Sequence, residues 1–245
     1  MMKILIQMIR EEFATVNKDS DGKLNLTLLY GSFVLFIYCY FGSYSFFEQT
    51  FADMPDLAYW KIIYHHCMNF LLFFCCGLIF IKFVLRRPLR DYGLSFREKK
   101  LSLLFILFAI PFSVLSGVSG AGDEQLRAAY PLVNLHEYGT WQLVLGYYVS
   151  YFLYYIGWEF FFRGLLLNAS KQRMGVVAAI LFTTMISALI HTSIASMGKP
   201  MIETLSAIPA GIMFGYIAYK TRSMIPPLII HTLIGFSTDF FNFIY

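Results

Sequence analysis

Charged residues are scarce in this chain of 245 residues, of which Asp, Glu, Lys and Arg make up only 14%. A soluble domain typically carries about 25% charged residues, because its surface must be solvated. The hydrophobic share is 58%, and the mean hydropathy is +0.61. A chain of this composition has too few charged residues to form a fully solvated surface, so its excess apolar surface must face lipid. The composition predicts an integral membrane protein and excludes nucleic-acid binders and cytosolic enzymes.

The sequence also lacks the signatures of several reaction classes. Its four cysteines form no CxxC motif and no metal-ligand spacing. Without an HExxH motif zinc has only weak support, and no other cofactor is expected. No serine or cysteine stands beside a histidine in a nucleophile motif, which disfavours covalent catalysis.

Long apolar runs dominate what is present. About 20 mostly apolar residues are needed to cross roughly 30 Å of hydrocarbon as a helix. Seven segments meet or approach this length. They are Leu26–Phe47, Ile62–Leu85, Leu101–Val118, Trp141–Leu167, Gly175–His191, Leu205–Tyr219 and Met224–Tyr245. The sequence therefore predicts an all-α, polytopic transmembrane bundle of about seven spans.

The distribution of cations predicts the orientation of these spans. Fourteen of the 19 Lys and Arg residues lie in the N-terminal segment and in the loops after spans two, four and six, and only three lie in the opposite loops. Cytoplasmic loops carry the excess of Lys and Arg, so we expect the N-terminus inside and the C-terminus outside. Residues 1–25, which lack a signal-like apolar run and cleavage site, are predicted as a cytoplasmic segment. Residues 26–85 would form two leading spans and residues 86–245 a membrane core.

Few ionisable side chains fall inside the predicted spans. A charge at the centre of a span costs about 2.5–3.5 kcal/mol on insertion scales, so such residues are functional candidates. Glu159 and Arg163 lie four residues apart in span four, where one helix face can hold both as an ion pair. His191 ends span five, and His231 and Asp239 lie in span seven. A carboxylate and two imidazoles from three spans are the groups needed to activate a water and to bind an oxyanion.

Two other features have structural interpretations. His65 and His66, near the outer end of span two, are predicted to be interfacial. The longest connection, Ser119–Thr140, is predicted to be a solvated outer loop.

Helical rise of about 1.5 Å per residue places Glu159 roughly 12 Å from the inner end of its span and His191 roughly 24 Å from the inner end of its own. The two can meet only if span five is tilted or begins deeper in the membrane.

The ionisable residues stand in a pattern that resembles the CPBP family, which groups CAAX prenyl endopeptidases of the Ras-converting type with bacteriocin-processing Abi membrane proteins. The family motifs are Glu-Glu-x-x-x-Arg, Phe-x-x-x-His and His-x-x-x-Asn/Asp. Here the first corresponds to Glu159 and Arg163 in Gly-Trp-Glu-Phe-Phe-Phe-Arg-Gly, the second to His191, and the third to His231 after Ile-Pro-Pro. Including the basic Gly-Leu loop that precedes the core, the resemblance runs from Arg86 to the C-terminus.

Three positions depart from these motifs. Trp158 stands at the first glutamate, Ser187 at the phenylalanine of the second motif, and Gly235 at the Asn or Asp of the third, with Asp239 one turn further on. In the family the first glutamate activates water and the second pairs with the arginine. Either the chain has lost catalysis, or Glu159 has taken over the role.

The resemblance implies an intramembrane endopeptidase of the glutamic type in the bacterial plasma membrane. Glu159 would activate a water near His191, His231 with Asp239 would bind the oxyanion, and Arg163 would hold Glu159. The implied partners are a peptide or lipidated-protein substrate and the lipid bilayer, with no nucleic acid, and the oligomeric state is open. The alternative is a non-catalytic relative that acts in bacteriocin immunity or membrane binding. A proton-coupled transporter is a third hypothesis, disfavoured because no inverted repeat is found.

Overall fold

A computed structural model describes residues 3–4, 6–8, 11, 22–138, 140–192 and 199–244 of the chain. All regular secondary structure within these residues is helical, and none of them forms a strand. The predicted all-α class is therefore confirmed.

The described helices follow the predicted spans closely. They are α1 (Gly22–Phe41), α2 (Tyr44–Thr50), α3 (Leu57–Leu85, with π-helical stretches at Phe70–Cys75 and Phe80–Leu85), α4 (Lys99–Ala121), α5 (Glu124–Ala129), α6 (Trp141–Glu159), a π-helical segment (Phe160–Leu166), α7 (Leu167–Met174), α8 (Val176–Ile190), α9 (Met201–Thr221) and α10 (Ile225–Ile244). Six of the seven predicted spans each overlap one helix or one continuous helical stretch. The first, Leu26–Phe47, instead covers most of α1 and the start of α2, which are separated by a bend at residues 42–43.

Five helices of the described part of the chain, namely α1, α3, α4, α9 and α10, are long and apolar enough to cross a membrane. The apolar helix α8 is shorter. The helical stretch that begins with α6 is rich in buried tyrosines, whose hydroxyl groups reduce its hydropathy. The structure thus supports an integral membrane protein. The count of seven spans and the N-in orientation remain predictions.

The helices pack in pairs around a buried central segment. Helix α10 lies along α4, α9 along α8, and α3 along α6. At the crossing of α4 and α10 a side chain at Gly117 would overlap the backbone of Ser237, so the absence of a Cβ lets the two helices approach closely. Every residue from 157 to 167 is buried. A helix surrounded on all sides in this way can hold ionised side chains only if they pair with one another.

The connection between α4 and α6 corrects one expectation. It was predicted to be a solvated loop, but it contains α5, whose first turn is capped by Asp123 through hydrogen bonds from the backbone N–H groups of Gln125 and Leu126. Beyond α5 the side chains of Tyr130, Val133 and Leu135 are buried. These apolar and aromatic side chains fold the segment back onto the bundle.

Candidate active site

Glu159, the last residue of α6, has a side chain with no exposed surface. Nδ1 of His231 on α10 donates a hydrogen bond of 2.7 Å to its Oε1 atom. Because Nδ1 carries the proton in this bond, Nε2 of a neutral His231 ring keeps its lone pair. The contact joins two predicted site residues that are far apart in the sequence.

Arg163 forms the ion pair that the four-residue spacing predicts. Its Nε atom lies 3.4 Å from Oε2 of Glu159, and both side chains are buried. The guanidinium also lies against the rings of Phe162 and Phe214, at 5.8 and 5.6 Å from their centroids. Its Nη1 atom has no hydrogen-bond partner among the described residues.

The backbone beneath this pair is π-helical from Phe160 to Leu166. Such stretches leave carbonyl groups without their usual helical partners, and they occur frequently at functional sites. The side-chain amide of Asn168 donates to the carbonyl oxygens of Arg163 and Gly164, at 3.1 and 2.7 Å. Asn168 therefore helps to stabilise the segment that carries Arg163.

His191 follows the last residue of α8. Its Nδ1 atom donates to the backbone carbonyl of Ser187 at 2.7 Å, and its ring meets the indole of Trp158 edge-on at 5.2 Å. The helical-rise estimate placed His191 at a different depth in the membrane from Glu159. In the structure His191 instead packs against Trp158, the residue that precedes Glu159. The estimate assumed parallel spans that start at one level, a condition that packed helices need not meet.

A cavity of about 180 Å³ connects these side chains. Its walls come from α4, α6, α8, α9 and α10, and Arg163, His191 and His231 all line it. Glu159 reaches the cavity through its hydrogen bond to His231. Asp239, which was expected to bind the oxyanion together with His231, does not line this cavity. It accepts a hydrogen bond of 2.6 Å from Tyr147 and so links α10 to α6.

The third departure from the family motifs has a steric explanation. The hydroxyl of Tyr155 occupies the position that a Cβ at Gly235 would take. Tyr155 also packs against the His231 ring, with centroids 4.6 Å apart, and it lines the cavity. The phenol therefore lies where the side chain of the third motif would begin, which places a hydrogen-bonding group from α6 at this position.

Sequence reasoning missed a second polar cluster on the same cavity. Tyr130 donates to Oε1 of Glu203 at 2.7 Å, Nζ of Lys199 lies 3.4 Å from the same oxygen, and Lys199 also donates to Tyr130. Burial and the nearby Glu203 carboxylate raise the pKa of Tyr130 well above its usual range, so the phenol keeps its proton. Glu203 and His191 line the same cavity.

Oε2 of Glu203 is buried and has no hydrogen-bond partner in the described part of the chain. The sequence offered one weak signal for this residue, its position two residues before the predicted span Leu205–Tyr219. Because α9 begins earlier, at Met201, Glu203 belongs to the first turn of that helix.

His65 and His66 are also closer to the site than predicted. Both are buried rather than interfacial, and both line a small cavity of about 30 Å³ together with His191 and His231. His65 bonds through its two nitrogens to Tyr38 and to the carbonyl of Gly42, at 2.8 and 2.6 Å. With both ring nitrogens engaged, His65 supports the packing of α1 against α3. Among the described residues no group of three or more His, Cys, Asp or Glu is arranged to hold a metal ion.

Residues 139–237 match a family model described as Rce1-like, type II CAAX prenyl endopeptidase. The match confirms the resemblance identified from the motifs and spans all four predicted site residues. It supports assignment to the CAAX-type intramembrane protease family, whose members are proteases. No curated protein and no solved structure matches the chain.

Proposed function

We propose that this protein is an intramembrane endopeptidase that hydrolyses a peptide bond of a membrane-associated or lipidated peptide, in the bacterial plasma membrane. The observation that carries the proposal is the hydrogen bond from His231 to the buried Glu159, in the wall of a cavity that His191 and Arg163 also line. A carboxylate that orients an imidazole beside a cavity is the arrangement of a general base.

In this mechanism His231 takes the proton and Glu159 acts through it. Glu159 has no exposed surface and its oxygens face His231 and Arg163, which argues against direct contact between Glu159 and a water. A water donates hydrogen bonds to Nε2 of His231 and of His191. The proton passes to His231 as the hydroxide oxygen bonds to the scissile carbonyl carbon. His231 then returns the proton to the leaving amine nitrogen when the C–N bond breaks.

The negative charge that develops on the carbonyl oxygen needs hydrogen-bond donors in a site with little water. Tyr155 is one candidate, because its hydroxyl lies beside Gly235 on the cavity. Arg163 is the second, because its Nη1 atom is buried without a hydrogen-bond partner among the residues that the structure describes, while the side chain lines the same cavity. No metal ion enters any of these steps.

One observation favours the alternative of a non-catalytic relative acting in immunity or membrane binding. Trp158 stands at the position of the motif's first glutamate, is fully buried and packs directly on His191. A bulky indole there supplies no acid or base. The two hypotheses differ in whether His231 is needed for the cleavage of any other protein or peptide.

The deciding experiment compares membranes that carry the wild type, His231→Gln or His136→Gln at matched protein levels. Mass spectrometry of protein and peptide termini is the measurement. His136 is a matched control because it is exposed and stacks on Phe243, away from the cavity. We expect a defined set of termini to disappear in His231→Gln alone. Identical termini in all three membranes, with the biological phenotype retained, would favour the non-catalytic alternative.

A further inference from the structure

A second and larger cavity lies at another end of the bundle, where the segment that follows α3, the helix α7 and the end of α9 come together. Its volume is about 340 Å³. It is lined by Arg90, Asp91, Arg97, Asn168, Lys171, Tyr219, Lys220 and Arg222. Five of these eight residues are cations and one is an acid, so the wall carries a strong excess of positive charge.

The charges in the wall are only partly balanced. The carboxylate of Asp91 lies 3.8 Å from the guanidinium of Arg97. Nζ of Lys171 donates to the side-chain oxygen of Asn168 at 2.6 Å, a neutral partner. Burial and the nearby Arg222 lower the pKa of Lys171, and the carboxylate of Asp91 offsets this only in part, so Lys171 and Arg222 repel each other across a partly desolvated space. An anion bound between them would remove that repulsion.

The backbone around the cavity is closely fitted. The carbonyl of Gly93 accepts a hydrogen bond of 3.0 Å from the N–H of Met224, which ties the loop after α3 to the turn after α9. A side chain at Gly164 would overlap the carbonyl of Tyr92, so the same loop also rests directly on the π-helical segment. Arg222 adopts a left-handed backbone conformation with φ of +52°, which is uncommon for a residue other than glycine. The loop after α3, the turn after α9 and the π-helical segment that leads into α7 are therefore held against one another, and the cations of the cavity wall extend from these segments and from the helices next to them.

An apolar stripe on α9 leads away from this cavity. Tyr219, which lines the cavity, begins a row of exposed side chains that recur at helical spacing. The row consists of Leu205, Ile208, Ile212, Tyr216 and Tyr219. At about 1.5 Å per residue the row is roughly 21 Å long, comparable to an extended acyl chain. A ligand with a phosphate group at one end and a hydrocarbon chain at the other fits both features.

We propose that this cavity binds the phosphate-bearing headgroup of an anionic phospholipid, whose acyl chain lies along the exposed stripe of α9. Clusters of cations between helices at a membrane surface bind anionic headgroups, and each Lys or Arg contributes about 1 kcal/mol. The proposal is independent of the peptidase mechanism, because no residue of the cavity of His191 and His231 takes part.

The test uses the purified full-length chain in detergent. Binding of phosphatidylglycerol is measured by native mass spectrometry, and thermal unfolding is measured with phosphatidylglycerol, phosphatidylcholine or inorganic phosphate. The variant is Lys171→Gln/Lys220→Gln. The matched control, Lys99→Gln/Lys100→Gln, removes the same charge from two exposed lysines that do not line the cavity. From about 1 kcal/mol per cation, roughly fivefold each, we expect the cavity variant to bind phosphatidylglycerol roughly 25-fold more weakly.

The control should remain within about twofold of the wild type, and phosphatidylglycerol should stabilise the wild type more than either other addition does. Equal losses in the two variants would show attraction to general surface charge and overturn the proposal. Stabilisation by inorganic phosphate equal to that by phosphatidylglycerol would overturn the lipid as the ligand. Arg90→Gln is a further exposed variant in the same wall and should weaken binding by roughly fivefold on the same basis.

Discussion

Nδ1 of His231 lies 2.7 Å from Oε1 of Glu159, and this contact joins α10 to the end of α6 inside the bundle. Through Glu159 it continues to Arg163, so a cation, a carboxylate and an imidazole form one chain of polar contacts. The carboxylate has no exposed surface, and neither end of the chain can lose its partner without cost. The same contacts therefore serve stability and, in our proposal, catalysis.

We predict that Glu159→Gln destabilises the protein, because it leaves Arg163 as a buried cation without its counter-charge. The expected cost is about 3–5 kcal/mol, the usual range when one partner of a buried pair is removed. The double variant Glu159→Gln/Arg163→Met should recover most of this loss, since replacing both charges by groups of similar size is often nearly neutral. Thermal unfolding in detergent measures both variants.

The same double variant distinguishes an effect on folding from an effect on catalysis. We expect it to fold and yet to generate none of the termini that the wild type produces, because a glutamine lacks the negative charge that stabilises protonated His231 and because the second candidate oxyanion donor, Arg163, is gone. Wild-type cleavage by the double variant would contradict the role given to Glu159. Full stability of Glu159→Gln alone would contradict the buried ion pair.

Tyr155→Phe tests the proposed binding of the oxyanion. Loss of one oxyanion donor typically lowers kcat by about 10²–10³-fold, and the ring that packs on His231 is kept. We expect the rate at which cleaved termini accumulate to fall by this order, with little change in thermal stability. Tyr148→Phe is the control, because Tyr148 lies on the same helix but does not line the cavity. Equal rates for Tyr155→Phe and the wild type would remove Tyr155 from the mechanism.

Tyr130→Phe should loosen the segment between α4 and α6. The variant removes the hydrogen bond to Glu203 and leaves that half-buried carboxylate with Lys199 as its partner. An unmade buried hydrogen bond costs about 1–3 kcal/mol. Hydrogen exchange of residues 124–138 measures the effect, and it should become faster than in Tyr138→Phe, a variant of a less buried tyrosine in the same connection. Unchanged exchange would show that Tyr130 does not hold this segment.

Hydropathy predicts most of the fold because lipid exposure requires apolar residues along whole helices. The predicted span Leu101–Val118, for example, lies entirely within the helix Lys99–Ala121. Local departures from α-helical geometry have no such signal in the sequence. The π-helical segment at Phe160–Leu166 consists of residues that fit an ordinary helix equally well, so its presence depends on packing and on Asn168.

Sequence reasoning identified only part of the site, because long-range packing, like local backbone variation, has no local signal in the sequence. Glu159, Arg163 and His231 could be identified because ionisable groups inside a span are costly and therefore need an explanation. Tyr130 and Glu203 fall in segments that the sequence assigns to an outer loop, where polar residues are expected. Their role depends on the segment after α5 folding back onto the bundle, a long-range contact that no local pattern encodes.

Gly235→Ala tests whether Tyr155 fills the place of the missing motif side chain. The new methyl group would overlap the Tyr155 hydroxyl, so either the phenol or α10 must move. Overpacking of this kind costs about 1–3 kcal/mol. Gly120→Ala is the matched control, because a Cβ there makes only ordinary contacts of 3.5 Å or more and alanine favours the helix. We therefore expect Gly235→Ala to lower both the unfolding temperature and the rate of cleavage, while Gly120→Ala equals or exceeds the wild type in stability. If Gly235→Ala keeps full stability and full cleavage, the Tyr155 hydroxyl does not occupy that position in the working protein, and the oxyanion donor must be sought elsewhere on the cavity wall.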